Sequence, residues 1–333
     1  MRQSQFSRYG AISRPVDVPL GAKLFLVSDS DDTTVGPANL AAEFPVDEDG
    51  VVRVYTTIQA ANNAATANRG DVIAVLPGFS YTLAGVDSWN TAGVQIRGLG
   101  QGVNAPRINF SATTSSIDLA ASNIRVSNLR LQSGVAAVAR GLDLDTGFSG
   151  IKVDNCVFEQ GAVNTNFRVM MRLGAKHSLV EDNRFLGTDC GNDSISTGSG
   201  IRIVGGDPDF STIRNNFFYG QFDTIGDTSN GGAAIAQDTT NTDDLILKGI
   251  LIENNKIVST DTAVAAAVRF SAGYTIKGLF NENRIAVQGD SAATDTVVVA
   301  LSGLMATQNF LTRSDTTEKL IGETSVKFTD SGN

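Results

Sequence analysis

The chain has 333 residues, 34 of them glycine, with a formal net charge of −9, two cysteines and one histidine. That charge opposes nucleic-acid binding unless a local basic patch outweighs it. Two thiols are too few for a disulfide framework or a zinc site of their own, and a lone His177 leaves no multi-histidine metal site. Sparse Leu, Lys and Glu beside abundant Gly, Ala, Thr, Ser and Asn exclude an all-helical chain and favour short strands joined by tight turns.

In chain order, residues 1–50 read as an N-terminal arm and attachment region. The first fourteen residues hold Arg2, Arg8 and Arg14 without an acid, together with Phe6 and Tyr9. This is a cationic, aromatic arm able to order on an acidic partner surface. No apolar run approaches the ~20 residues that span a bilayer, and the opening residues lack the apolar core of a secretory signal, so a soluble protein without membrane insertion is expected. Asp29-Ser-Asp31-Asp32 opens like a calcium loop but lacks the Gly and Glu that would complete one.

Thr56 or Thr57 is placed to cap a helix near 56–66, after which Arg69-Gly-Asp71 turns into the apolar strand Val72–Leu76 and the break Pro77-Gly78. The helix is the expected lid on the open end of a stack. Beyond it one phrase recurs: an apolar residue, any residue, Asn or an acid, often a second Asn, any residue, an apolar residue. It begins at Val126, Val153, Val180, Ile213, Ile252 and Phe280, with a degraded copy at Met305. Its third position falls at 128, 155, 182, 215, 254, 282 and 307, in steps of 25 to 39 residues. A second, alternating phrase precedes the copies, as in Gly200-Ile-Arg-Ile-Val204, so each period carries at least two strands. The fold expected is all-β, a single-stranded right-handed parallel β-helix over residues 51–312, with about nine or ten coils and a body roughly 45 Å long. Residues 313–333 form a C-terminal tail or cap. Asn suits each sharp corner because it tolerates left-handed angles, and its amide can bond along the stack. A structural ladder of Asn128, Asn155, Asn183, Asn215, Asn254 and Asn283 is expected.

The run Ile58-Gln-Ala-Ala, Gly70-Asp71-Val-Ile and Leu76-Pro-Gly78, followed by Asn-rich coils, resembles the pectate-lyase-like superfamily of right-handed β-helices. The stretches Gly21–Asp29, Asp47–Tyr55 and Gly98-Leu-Gly100-Gln-Gly102 resemble β-helical virion proteins of tailed bacteriophages, which decorate a head or form spikes. The second resemblance implies a homotrimer on the outer surface of a virion, assembled in the host cytoplasm. The partner bound through Arg2, Phe6, Arg8, Tyr9 and Arg14 would be the major capsid protein or another virion protein, with a surface glycan as a possible ligand.

Polysaccharide-cleaving members need paired carboxylates, or calcium-binding acids with a basic proton acceptor. Asn241-Thr-Asp243-Asp244 has the wording of a polygalacturonase motif without its companions. Asp143 with Asp145, Asp207 with Asp209, and Asp189, Asp193, Asp223 and Asp227 in two long insertions are the other acids in view. Phe217, Phe218, Tyr219 and Phe222 offer a sugar-stacking platform. No catalytic, cofactor-binding or metal-binding residue is assigned, so the expectation is a capsid decoration protein that is not an enzyme; a tailspike-type depolymerase or a glycan-binding receptor protein is the alternative.

Overall fold

The computed structural model describes residues 18–321 except 30–49, 51–52, 163, 188–196, 205–207, 223–231, 239–245, 261–265, 271–274, 288–297, 300–303 and 314–318. Its strands form three long sheets, here A, B and C, of eleven, ten and eight strands, with each coil contributing in turn to A, B and C. Pairing along each stack is parallel, apart from the antiparallel strand Lys319–Ile321 that closes sheet B. This is the right-handed parallel β-helix expected, the hand being that of parallel crossovers. From Val72–Val75 to Leu304–Thr307, sheet A counts nine successive coils.

Period-two alternation directs alternate residues of each strand inward. Sheet B stacks Ile108, Leu131, Phe158, Phe185, Phe218, Ile257 and Ile285 in one inward column. Within it the Phe158–Phe185 and Phe185–Phe218 rings lie 4.8 and 4.7 Å apart, nearly parallel. Each such pair adds about 0.5–1.5 kcal/mol beyond the area it buries.

The expected helix forms at Ile58–Ala64, with the Thr57 hydroxyl accepting from the Ala60 N–H at 3.1 Å. Ile58 and Ala61 join the main core. Beside the helix, expected as the lid on the open end, sheet A is carried outward by further strands. Leu24–Val27 pairs with Val72–Val75 and then with Val54–Tyr55, which places part of the 1–50 span inside the stack. Asp71 fastens this junction. It is fully buried, and its carboxylate accepts from the Lys23 and Thr66 N–H groups and from the Arg69 guanidinium. Burial alone would raise its pKa, but these bonds outweigh burial and hold it below the ordinary value.

The corner between sheets A and B separates two positions that the sequence reading merged. Asn128, Asn155, Asp182, Asn215, Asn254, Glu282 and Gln308 take φ between 51 and 56°, the left-handed turn. The next residue points inward, and there Asn183, Asn216, Asn255, Asn283 and Asn309 form the ladder. The Nδ2 of each of the first four donates to the Oδ1 of the next at 3.0–3.1 Å, and each also donates to a carbonyl of the preceding coil. Asn183 and Asn283 therefore belong to the ladder, whereas Asn128, Asn155, Asn215 and Asn254 are turn residues. Asn254 donates to Asn215 on the exposed side of the turn, and Asn128 donates to the Gly98 and Gly100 carbonyls. The degraded copy also falls one residue later than its wording suggests, because Ala306, not Met305, pairs with Phe280.

Candidate functional site

A stack of coils presents three outer faces, and their side chains differ sharply. On the coils of sheet A from Arg125 to Arg214, charge is matched from coil to coil, whereas farther on Lys248 and Lys277 stack in register. Arg125 donates to Asp154 at 2.8 and 2.9 Å, while Lys152 and Arg214 both bond Glu181, which lies between them. Burial would raise the Glu181 carboxyl, but the bonds from Lys152 and Arg214 prevail and hold it below its usual range. The bond from Arg125 to Asp154 in turn raises the pKa of Arg125.

Sheet C carries an acid pair at its N-terminal end. Strand register sets Asp118 directly beside Asp143, followed by Arg172 and Arg202 in the same column. Arg140 and Arg172 both bond the Asp143 carboxylate, and Asp143 is almost fully buried. Asp118 is half-buried, and its carboxyl is raised, first by burial and then by the charges of Asp143 and Asp145, against the Ser116 hydroxyl that donates to it. It holds its proton to higher pH than a free aspartate, as an acid catalyst must. Asp145, noted beside Asp143 in the sequence, accepts from the Thr146 N–H at the end of its strand. Asp118 escaped the sequence reading, its partner lying 25 residues away; aligning Ile117-Asp118-Leu119 on Leu142-Asp143-Leu144 is the signal that finds it.

Sheet B is different again. Its outward column reads Ser80, Arg107, Arg130, Val157, Arg184, Phe217, Lys256, Arg284 and Phe310. The next outward column carries Gln132, Glu159, Leu186, Tyr219, Val258 and Ala286. Toward the N-terminal end Arg130 is matched, donating to Glu159 at 2.6 Å, while Arg107 beside it donates to the Ser80 hydroxyl. From Arg184 onward charge is not matched: Arg184, Lys256 and Arg284 are exposed and make no ion pair among the described residues. Arg184 and Lys256 approach the Phe217 ring from the two neighbouring strands, 6.0 and 5.7 Å from its centre. Tyr219 stacks beside that ring at 6.4 Å and is exposed. A cleft of about 360 Å³ opens between Lys256, Val258, Arg284, Ala286 and Phe310, and a second of about 370 Å³ adjoins it at Asn254, Glu282 and Gln308.

The four aromatics read together from sequence are thus divided. Phe218 and Phe222 are core, while Phe217 and Tyr219 face outward, joined by Phe310, which is 46% exposed and was not foreseen. Arg2, Phe6, Arg8, Tyr9 and Arg14, together with Asp189, Asp193, Asp207, Asp223, Asp227, Asp243 and Asp244, lie outside the described residues. Asp209 is at the surface, where its carboxylate accepts from the Lys248 N–H. His177 sits at a left-handed turn, stacked on Phe210 at 5.4 Å. Cys156 is fully buried and its thiol is pushed up to about 12 by burial, so it is chemically inert.

No protein-family model and no curated protein matches the sequence. Among solved structures, the chain is similar to an alginate lyase from Paenibacillus sp. str. FPU-7, at 14% identity over 77% of this chain and 92% of that one, with a TM-score of 0.45. It is similar to a tailspike protein of E. coli bacteriophage HK620 at 14% identity over 86% and 65%, with a TM-score of 0.40. A pectin methylesterase aligns at 14% identity over 88% and 90%, with a TM-score of 0.39. What the chain has in common with them is the right-handed parallel β-helix. At these identities the likeness describes the fold. The expectation that the chain is not an enzyme is corrected by the same set, in which lyases, an esterase and a glucanase stand beside the spike protein.

Proposed function

We propose that this chain is a spike-type β-helix that engages a surface glycan along the outer face of sheet B. The observation that carries the reading is the exposed run from Arg184 through Phe217, Tyr219, Lys256 and Arg284 to Phe310. It spans four strand spacings, roughly 19 Å parallel to the helix axis. A linear polymer can lie along such a run, its ring faces resting on Tyr219 and Phe310 and its polar groups meeting the cations. Sheet C, a separate face, offers a proton donor in Asp118 nearer the N-terminal end, so any cleavage there would act on a part of the polymer beyond the sheet B strip. The test is retention of the full chain on an array of neutral and acidic bacterial surface polysaccharides, with release of new reducing ends measured in the same samples. Retention that falls at least tenfold in Tyr219→Ala supports the reading, and Asp118→Asn then shows whether any cleavage depends on this acid. No retention on any glycan would contradict it.

A second reading, favoured by the acid-free run of Arg2, Arg8 and Arg14 with Phe6 and Tyr9, concerns attachment. The N-terminal region binds the capsid protein or another virion protein, and the β-helix projects from the particle surface, as a homotrimer in the related reading of a head spike. Changing the three arginines to Glu should leave the β-helix folded and abolish co-sedimentation with particles. Unchanged co-sedimentation would remove these residues from the attachment site.

A further inference from the structure

We infer that the glycan on sheet B is anionic, a polysaccharide bearing carboxylate or sulfate groups at intervals along its chain; this rests on the glycan reading of that face. The sign of the charge comes from the contrast between faces. The molecule carries nine net negative charges, and on sheet A Arg125, Lys152 and Arg214 are each matched by an acid one coil away. Against that background Arg184, Lys256 and Arg284 form a cluster on three of four successive strands, with no acid on the same outward column. Leu186, Tyr219, Val258 and Ala286 fill the neighbouring positions, so the second column supplies no counter-charge there either. Glu282, in the flanking turn, lines the adjoining cleft together with Arg284 and forms no ion pair with it, and Glu159, one strand before Arg184, is taken by Arg130. Keeping three like charges together without partners costs stability, and an anionic ligand is the group that would offset it.

The spacing favours a glycan over a nucleic acid. Three cations in roughly 15 Å of axis match a polymer with one charge every one or two sugar rings, whose uncharged rings fall on Phe217, Tyr219 and Phe310. Duplex DNA places a charge about every 1.7 Å, far denser than this strip can neutralise, and the anionic body would repel the excess. Lys256 and Arg284 also line the 360 Å³ cleft with Phe310, which sets two cations and an aromatic ring around one sugar-sized space. A carboxylate there would accept from both cations while the ring it belongs to packs on Phe310.

The experiment is affinity electrophoresis of the full chain through gels containing polygalacturonate, chondroitin sulfate, dextran or a single-stranded oligonucleotide, at low and at 0.5 M added salt (on the order of one Debye length of a few ångströms at the upper value). The two acidic glycans separate a carboxylate preference from a sulfate preference. Retardation by at least one of them, lost at high salt and weakened about tenfold or more in Lys256→Gln/Arg284→Gln, is the result expected. The double variant should melt at or slightly above the wild-type temperature, because both side chains are exposed, neither forms an ion pair among the described residues, and the repulsion between them is removed. Equal retardation by dextran, insensitive to salt and to the double variant, would overturn the charge assignment while leaving the glycan reading in place. Stronger retardation by the oligonucleotide would overturn the assignment in favour of a nucleic acid, and no retardation by any glycan would overturn the reading beneath it.

Discussion

The outer faces of sheets A and B are built on the same coils, joined through the same asparagine corner, yet the middle coils of sheet A and the later coils of sheet B handle charge in opposite ways. On sheet A, Glu181 is held between Lys152 and Arg214, and Asp154 takes Arg125, so charges stacked at the strand spacing neutralise one another. On sheet B the same spacing brings Lys256 beside Arg284, and Arg184 within one strand of Lys256 across the Phe217 ring. Like charges meet in register on both faces, Arg125 with Lys152 and Asp154 with Glu181 on sheet A and Lys256 with Arg284 on sheet B, but of these only the sheet A residues are neutralised by opposite charges on neighbouring coils. Sheet A uses that pairing for stability; sheet B keeps its cations available to a ligand.

The comparison breaks first at what the two faces share. Asn216→Ala removes a ladder member whose amide donates to the Val180 carbonyl and to Asn255, and whose oxygen accepts from Asn183, all inside the core. Unfolding free energy should fall by about 3 kcal/mol, the cost of several buried polar groups left unpaired, as measured by denaturant titration. Glycan retention at sheet B should fall with it, since strand spacing is common to both faces.

The next effect should touch sheet A alone. Glu181→Gln leaves Lys152 and Arg214 without their acid and should cost about 1–2 kcal/mol, with retention unchanged. Its pH dependence follows from the lowered Glu181 pKa. A depressed carboxylate contributes stability that is present above its unfolded value of about 4.3 and is lost as pH falls through the folded value. The gap between wild type and Glu181→Gln should therefore be full at pH 7 and close progressively below about pH 4.3. A gap that persists in acid would mean that shape rather than charge holds this site.

The smallest change in stability should come from giving sheet B what sheet A has. Ala286→Glu places a carboxylate on the outward column beside Val258, next to Lys256 and Arg284 at the cleft wall. Stability should change by no more than about 0.5 kcal/mol, as is usual at exposed positions. Retention of an acidic glycan should nonetheless drop, because the new acid competes with the ligand for the same cations.

The coil repeat was legible because each coil closes through the same sharp corner, and only a few residue types fit a left-handed turn. The ladder was legible in kind but not in phase, since Asn215-Asn216 and Asn254-Asn255 fill both the turn and the inward position with one residue type. Asp182-Asn183, Glu282-Asn283 and Gln308-Asn309 break that degeneracy, because there Asn persists only at the inward position. The strip on sheet B was not legible. Arg184, Phe217, Lys256, Arg284 and Phe310 are separated by 26 to 39 residues, and they become neighbours only once the unequal insertions between coils are looped out and strand register is known. The same holds for Asp118 and Asp143. Local sequence reports which way a side chain points within its strand; what it meets on the next coil is set by register.

The most direct test of the account is a crystal structure of the full chain soaked with a short acidic oligosaccharide. The account predicts sugar density running parallel to the axis over Arg184 to Phe310, with an acid group between Lys256 and Arg284. Density confined to sheet A or sheet C, with sheet B bare, would contradict it.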